Sequence, residues 1–315
     1  MAGQRGGPTA LPPASFLEYD MTLYGIPPAG FRRFMVPENG REHGRSIVDA
    51  AHGWWLENRG GTGEVAIAVG TLAGLALCSP SRADGPDYGP LLIPLDDGEL
   101  ADALRASWNS LWASDPVLAD AAGPLHAWLA DPSESDIRGL ADYARILVRA
   151  GLLEYCSDLA RCESEDLLGL LVQRMRGHGQ KQATGEFFTP SIAADPAGEI
   201  MLTDRPAPGA VLLEPCAGTG TMVRAAAAAL RFQGLDPGHY HWWLNDLDTI
   251  NSACCAVNSR LWRLGSNVTV SCGDAFGDPR DLEEPTHRRA ERAIAEHKHR
   301  TLLYPTRTRP PHWHL

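Results

Sequence analysis

The sequence has no run approaching the ~20 continuous apolar residues that a membrane span needs, and its N-terminus lacks the basic-then-apolar pattern of a secretory leader. It has no Cys-x-x-Cys pair. Its seven cysteines (Cys78, Cys156, Cys162, Cys216, Cys254, Cys255, Cys272) are odd in number and scattered, which speaks against a zinc or redox site and for reduced thiols in a cytoplasmic protein. Positive charge is also short: 28 Lys and Arg against 39 Asp and Glu give a formal net charge of −11. That excludes a protein that coats nucleic acid by charge alone, since phosphate neutralisation supplies most non-specific affinity. Contact with nucleic acid must then be local or delivered by a partner.

What is present is a globular composition, 44% apolar and 21% charged over 315 residues, enough for one large or two modest cores. Residues 1–45, rich in Pro and Gly, are expected to form an irregular arm. Residues 46–182 read as a mainly helical domain: Leu100, Leu104, Trp108, Leu111 and Trp112 recur at three- and four-residue steps, as do Ile137, Leu140, Ala144 and Leu147. Val65 to Leu77 fits a packed helix or a strand pair, with helix favoured. Trp54, Trp55, Trp108, Trp112 and Trp128 suit a helical core better than stacking platforms for bases. Two basic clusters stand out: Arg174, Arg176, His178 and Lys181, and a later one with Arg288, Arg289, Arg292, Lys298, Arg300, Arg307 and Arg309. A solvated surface is the plainer account of each. His297, His299, His312 and His314 have no nearby Cys or carboxylate pattern that would make a metal site, so no metal is expected.

From Ala210 the pattern changes to alternating strands and helices. Ala210 to Glu214 is a short apolar run suited to a covered parallel strand. A Gly-containing turn follows, then Thr221 to Phe232 with five consecutive alanines, stopped by Gly234. His241 to Asn245 predicts a second strand, Thr249 to Leu264 a helix closed by Gly265, and Val268 to Cys272 a third strand. This βαβαβ unit is half of a doubly wound nucleotide-binding sheet. The fold class is therefore α/β, a partial Rossmann-like sheet over residues 183–278, behind the helical domain and ahead of a charged tail over 279–315.

Four signals cluster at the strand ends: Gly185-Glu186-Phe187-Phe188-Thr189-Pro190, Glu214-Pro215-Cys216-Ala217-Gly218-Thr219-Gly220, Asn245-Asp246-Leu247-Asp248 and Gly273-Asp274-Ala275-Phe276. Gly218 and Gly220 let a sharp turn bring backbone N–H groups and a helix N-terminus to a ligand. Asp246 stands roughly 25 residues past that loop, near the spacing at which a carboxylate meets ribose hydroxyls, and Asp274 is placed for an adenine amino group. A nicotinamide site fits less well. It wants a small residue where Val223 stands, and it leaves Pro215 and the Phe-Phe-Thr-Pro segment unexplained.

Over residues 183–278 these motifs resemble the adenine-specific N6 DNA methyltransferases, in particular the methylase subunits of type I restriction-modification systems. The resemblance implies S-adenosyl-L-methionine as cofactor, with Phe188, Thr189 and Pro190 closing over its methionine part. Glu214, Pro215, Gly218 and Gly220 would form the loop, Asp246 would take the ribose, and Asp274 with Ala275 would lie on the adenine side. DNA would be met directly or through a partner, such as a specificity or complementary methylase subunit. The family holds its target base in an Asn-Pro-Pro-aromatic or Asp-Pro-Pro-aromatic loop. Here Pro12-Pro13 follows Leu11, Pro27-Pro28 follows Ile26 and Pro310-Pro311 follows Arg309, so that tetrad is absent and catalytic residues are unassigned. Three functions are expected from this: the enzyme or the donor-binding part of a split or truncated one; an inactive cofactor-binding regulatory or assembly subunit; or, less favoured, transfer to RNA or protein. With no strand legible after Phe276, the first strand is also expected to keep an open edge.

Overall fold

The computed structural model describes residues 34–60, 64–79, 87–176, 188–277 and 280–305. Helices come first. The Asn39 side chain accepts from the N–H groups of Arg41 and Glu42 and starts α1 (Gly40–Arg59), which Gly60 closes in a left-handed conformation. Helix thus begins ahead of Ser46, inside the stretch expected to be irregular, because a capping asparagine outweighs the local Gly and Pro content.

The ambiguous apolar run is α2 (Val65–Leu77), buried continuously from Ile67 to Ala76. It shows no polar stripe because neighbours surround it. Gly70 and Gly74 permit the close packing: a Cβ at Gly70 would stand 1.8 Å from the Leu125 carbonyl oxygen, and one at Gly74 2.8 Å from Leu104 Cδ2. In α3 (Asp97–Ser114), opened by an Asp96–Glu99 capping box, the side chains of Leu100, Leu104, Trp108, Leu111 and Trp112 all point into the core. The helices α4 (Pro116–Ala121), α5 (Leu140–Arg149) and α6 (Leu167–Met175) follow, with shorter helical turns between them. Trp55, Trp108 and Trp112 are fully buried, and Trp54 and Trp128 pack at the margin of the core, which places these indoles in packing rather than on a surface.

The second half runs through α7 (Ser191–Met201), β1 (Val211–Glu214), α8 (Thr221–Phe232), β2 (His241–Asp246), α9 (Thr249–Leu261), β3 (Val268–Cys272) and α10 (Arg280–His299). The three strands are parallel in the order β1-β2-β3. Leu212 lies beside Trp242 and Trp242 beside Val268, while Leu244 lies beside Val270, so one sheet face presents an apolar row to α9. The molecule is therefore a mainly helical domain packed with a partial doubly wound α/β sheet. Among the described residues β1 has a strand neighbour on one side only, which matches the open edge, and Val211 and Leu213, 56% and 65% exposed, show that one face of β1 is uncovered as well.

Two elements differ from the sequence pattern. The α7 helix was not legible because Pro196 lies inside it, and α10 runs from Arg280 to His299 within the stretch read as a charged tail. After α10 the chain returns to the helical half, where the Asn109 side chain donates to the Tyr304 carbonyl at 3.1 Å and accepts from the Tyr304 N–H at 2.9 Å. No helix among the described residues is long and apolar enough to cross a membrane.

Candidate functional site

The glycine loop leaves β1 and turns back under the exits of β2 and β3. Gly220 sits at φ 106° and caps α8; a Cβ there would stand 2.8 Å from Trp262 Cζ3, so this glycine is held by packing. Gly218 differs. It is also left-handed, at φ 57°, yet a Cβ on it would meet nothing within 4 Å. Glycine at that position keeps open the space in front of the loop, where a ligand can approach the backbone.

Asp246, the last residue of β2, accepts from the Gly218 N–H through Oδ2 at 2.8 Å and from the Asp248 N–H through Oδ1 at 3.0 Å. Oδ1 also accepts from Asn251 Nδ2 at 3.4 Å, so of the roughly four lone-pair sites of a carboxylate about one, on Oδ2, is left for a further donor. Beside it, buried Asn245 ties the three strand exits together. Its amide donates to the Pro215 carbonyl at 3.1 Å and to the Gly273 carbonyl at 2.9 Å, and it accepts from Ser271 Oγ at 2.9 Å. The Gly273 N–H in turn donates to the Asp246 carbonyl at 3.0 Å. Glu214 accepts from the Cys216 N–H, and exposed Asp274 accepts from the Phe276 N–H with Ala275 between them. Thus Glu214, Pro215, Gly218, Gly220, Asp246, Asp274 and Ala275 gather at the C-terminal ends of parallel strands, the place where open α/β sheets bind ligands. Three carboxylates, those of Glu214, Asp246 and Asp274, make this mouth acidic.

Phe188 is half-buried, while Thr189 and Pro190 are exposed where the chain enters α7. Gly185, Glu186 and Phe187 lie outside the described residues. This segment and the glycine loop are joined through a turn of the helical domain that sequence reasoning missed. Ser191 Oγ donates to buried Glu165, which also pairs with Arg45 at 3.2 Å. The next residue, Asp166, is buried and accepts from Thr219 Oγ1 at 2.5 Å, Thr221 Oγ1 at 2.9 Å, the Gly169 N–H at 2.9 Å and Asn258 Nδ2 at 2.9 Å. Burial pushes its carboxyl above the ordinary 3.8, and those four donors pull the other way. The one sequence signal was an acidic residue ahead of an apolar helix, which marks a cap but names no distant partner.

The two described members of the first basic cluster are engaged within the protein: Arg174 pairs with Asp49 at 2.9 Å, and buried Arg176 with Asp248 at 2.8 Å. His178 and Lys181 lie outside the described residues, as do Arg307, Arg309, His312 and His314. Arg289 of the second cluster pairs with Asp120.

No family model matches the sequence, and no curated protein does. Two solved structures are similar. One is the type I restriction-modification system methyltransferase subunit from Streptococcus thermophilus, at 14% identity and a TM-score of 0.41, over 77% of this chain and 61% of that one. The other is DrdV in its complex with DNA, seen by cryo-electron microscopy, at 16% identity and a TM-score of 0.39, over 82% of this chain and 28% of that one. The chain spans less than two thirds of the length of each.

Proposed function

We propose that this chain binds S-adenosyl-L-methionine and forms the donor-binding core of an adenine-N6 DNA methyltransferase in a restriction-modification or phage-defence setting. The observation that carries the reading is the left-handed turn at Gly218, open in front and hydrogen-bonded through its N–H to Asp246. When bound, the cofactor supplies a methyl group on a positively charged sulfur. The acidic mouth of Glu214, Asp246 and Asp274 suits that charge and disfavours the pyrophosphate of a dinucleotide, whose loop would also want a small residue at buried Val223. The remaining acceptor site on Asp246 Oδ2 would take a ribose hydroxyl, and Asp274 with Ala275 would take the adenine. The loop from Glu214 through Pro215 to Gly220 and the start of α8 would face the polar tail, with Phe188, Thr189 and Pro190 closing over it.

The 315 residues contain no Asn-Pro-Pro-aromatic or Asp-Pro-Pro-aromatic tetrad. This reading therefore assigns the grip on the target adenine to another polypeptide or segment, and DNA is met directly or through a specificity or complementary methylase subunit. The same absence favours one second reading, an inactive cofactor-binding regulatory or assembly subunit. Transfer of labelled methyl groups to DNA separates the two. Transfer by the chain with the products of neighbouring genes supports the enzyme; cofactor binding with no transfer in any combination supports the regulator. Failure of the folded chain to bind the cofactor overturns both.

A further inference from the structure

We infer that the turn Glu163–Asp166 of the helical domain is a positioning element for the proposed donor site, with Asp166 as the residue that sets the glycine loop. The inference rests on the donor-binding reading and adds residues that lie outside every motif of the sheet.

The geometry is specific. Asp166 Oδ2 accepts from the hydroxyls of Thr219 and Thr221, on either side of Gly220, and Oδ1 accepts from the Gly169 N–H and Asn258 Nδ2. Asn258 also donates to the Thr219 carbonyl at 2.8 Å, so the loop is gripped by side chain and backbone together. Only a carboxylate offers acceptors to all four donors; an amide must turn its NH₂ toward one pair of them. Room for this contact is made by Gly169 within α6, where a Cβ would stand 2.3 Å from Thr219 Oγ1 and 2.4 Å from Asp166 Oδ2. Gly169 is the third residue of α6, and the space that a side chain would fill there goes to the Asp166–Thr219 bond.

The neighbouring residues hold the opposite wall. Glu165 accepts from Ser191, the residue after the Phe188-Thr189-Pro190 segment, and the Glu163 carbonyl accepts from Arg224 of α8 at 2.6 Å. Arg224 also pairs with Asp195 of α7, so one four-residue turn braces both sides of the site. A buried charge is a poor way to stabilise a fold, since apolar groups of similar volume do as well or better. Its use here is to fix where the loop amides point.

The test uses the full chain with Asp166→Asn, Thr219→Val, Thr219→Ser and the Asp166→Asn/Thr219→Val double variant. Folding is checked by circular dichroism, S-adenosyl-L-methionine affinity is read by calorimetry, and hydrogen exchange of residues 217–221 is followed without ligand. We expect Asp166→Asn to weaken binding about tenfold or more, Thr219→Val to weaken it in part, and Thr219→Ser to restore it. The double variant should be no weaker than Asp166→Asn alone, a coupling that a general loss of stability would not produce. A folded Asp166→Asn protein with wild-type affinity and wild-type exchange overturns the inference, as does full additivity. If Asp166→Asn does not fold, the Thr219 pair decides: loss with Val and recovery with Ser support the inference, and equal affinities overturn it. If the wild type itself does not bind, the donor-binding reading fails, and the exchange rates decide alone whether Asp166 holds the loop.

Discussion

Two glycines two positions apart in one loop should respond to the same substitution in opposite ways. Gly220→Ala forces a side chain into φ 106° and drives its Cβ to 2.8 Å from Trp262 Cζ3, 3.3 Å from Cη2 and 3.4 Å from Cys255 Sγ. The conformational penalty is roughly 1–2 kcal/mol, and overpacking against a buried indole adds roughly 1–3. The total, about 2–5 kcal/mol, is a large part of the 5–15 typical of a domain. Gly218→Ala meets open space at φ 57°, so it carries only the conformational part, about 1–2 kcal/mol, but its methyl stands where the ligand is expected. Urea unfolding should therefore show a much lower midpoint for Gly220→Ala and a small shift for Gly218→Ala. Calorimetry should show the reverse order of damage to cofactor affinity among the folded proteins. Equal destabilisation by both, or unchanged cofactor affinity in Gly218→Ala, would refute the division between a packing glycine and a ligand-facing one.

Asn245→Ala should cost about 2–3 kcal/mol in urea unfolding, because it leaves the Pro215 and Gly273 carbonyls and the Ser271 hydroxyl without their amide partner; a change below about 0.5 kcal/mol would show that it does not staple the strand exits. Burial lowers the imidazoles of His43 and His126 below the ordinary 6.5, so the unfolded chain binds protons more readily than the folded one. Their contribution is present above that pH and is lost as pH falls through 6.5 toward the folded values, by up to about 1.4 kcal/mol per pH unit for each group. Urea midpoints at about pH 7.5 and 5.5 should fall less steeply in His126→Gln, and an unchanged slope would contradict this assignment.

The βαβαβ half was legible because its signals are local. Short apolar runs end at Glu214, Asp246 and Cys272, alanines fill α8, and Gly234 and Gly265 stop the chain at left-handed positions. In the helical half, the stripe Leu100, Leu104, Trp108, Leu111 and Trp112 announced α3, and all five residues are buried. α7 stayed hidden because Pro196 and Gly198 both read as breakers. Gly198 is instead a packing device: a Cβ there would lie 2.7 Å from the Ala225 carbonyl carbon, so α7 and α8 cross where no side chain fits. Asp166 was illegible for a different reason. A cap is written in its neighbours, but a carboxylate that also serves Thr219, Thr221 and Asn258 depends on chain reversals that no local pattern records. Asn245 lay inside a recognised motif, yet its role follows from the parallel register that sets Pro215 and Gly273 on either side of it.

The most direct measurement is calorimetric titration of S-adenosyl-L-methionine into the purified chain beside an Asp246→Ala variant. Saturable binding by the wild type and its loss, by about tenfold or more, in a folded variant is the predicted result, since that carboxylate shapes the loop through Gly218 and, in the proposed function, takes the ribose. No binding by the folded wild type, or equal binding by the variant, would contradict the account.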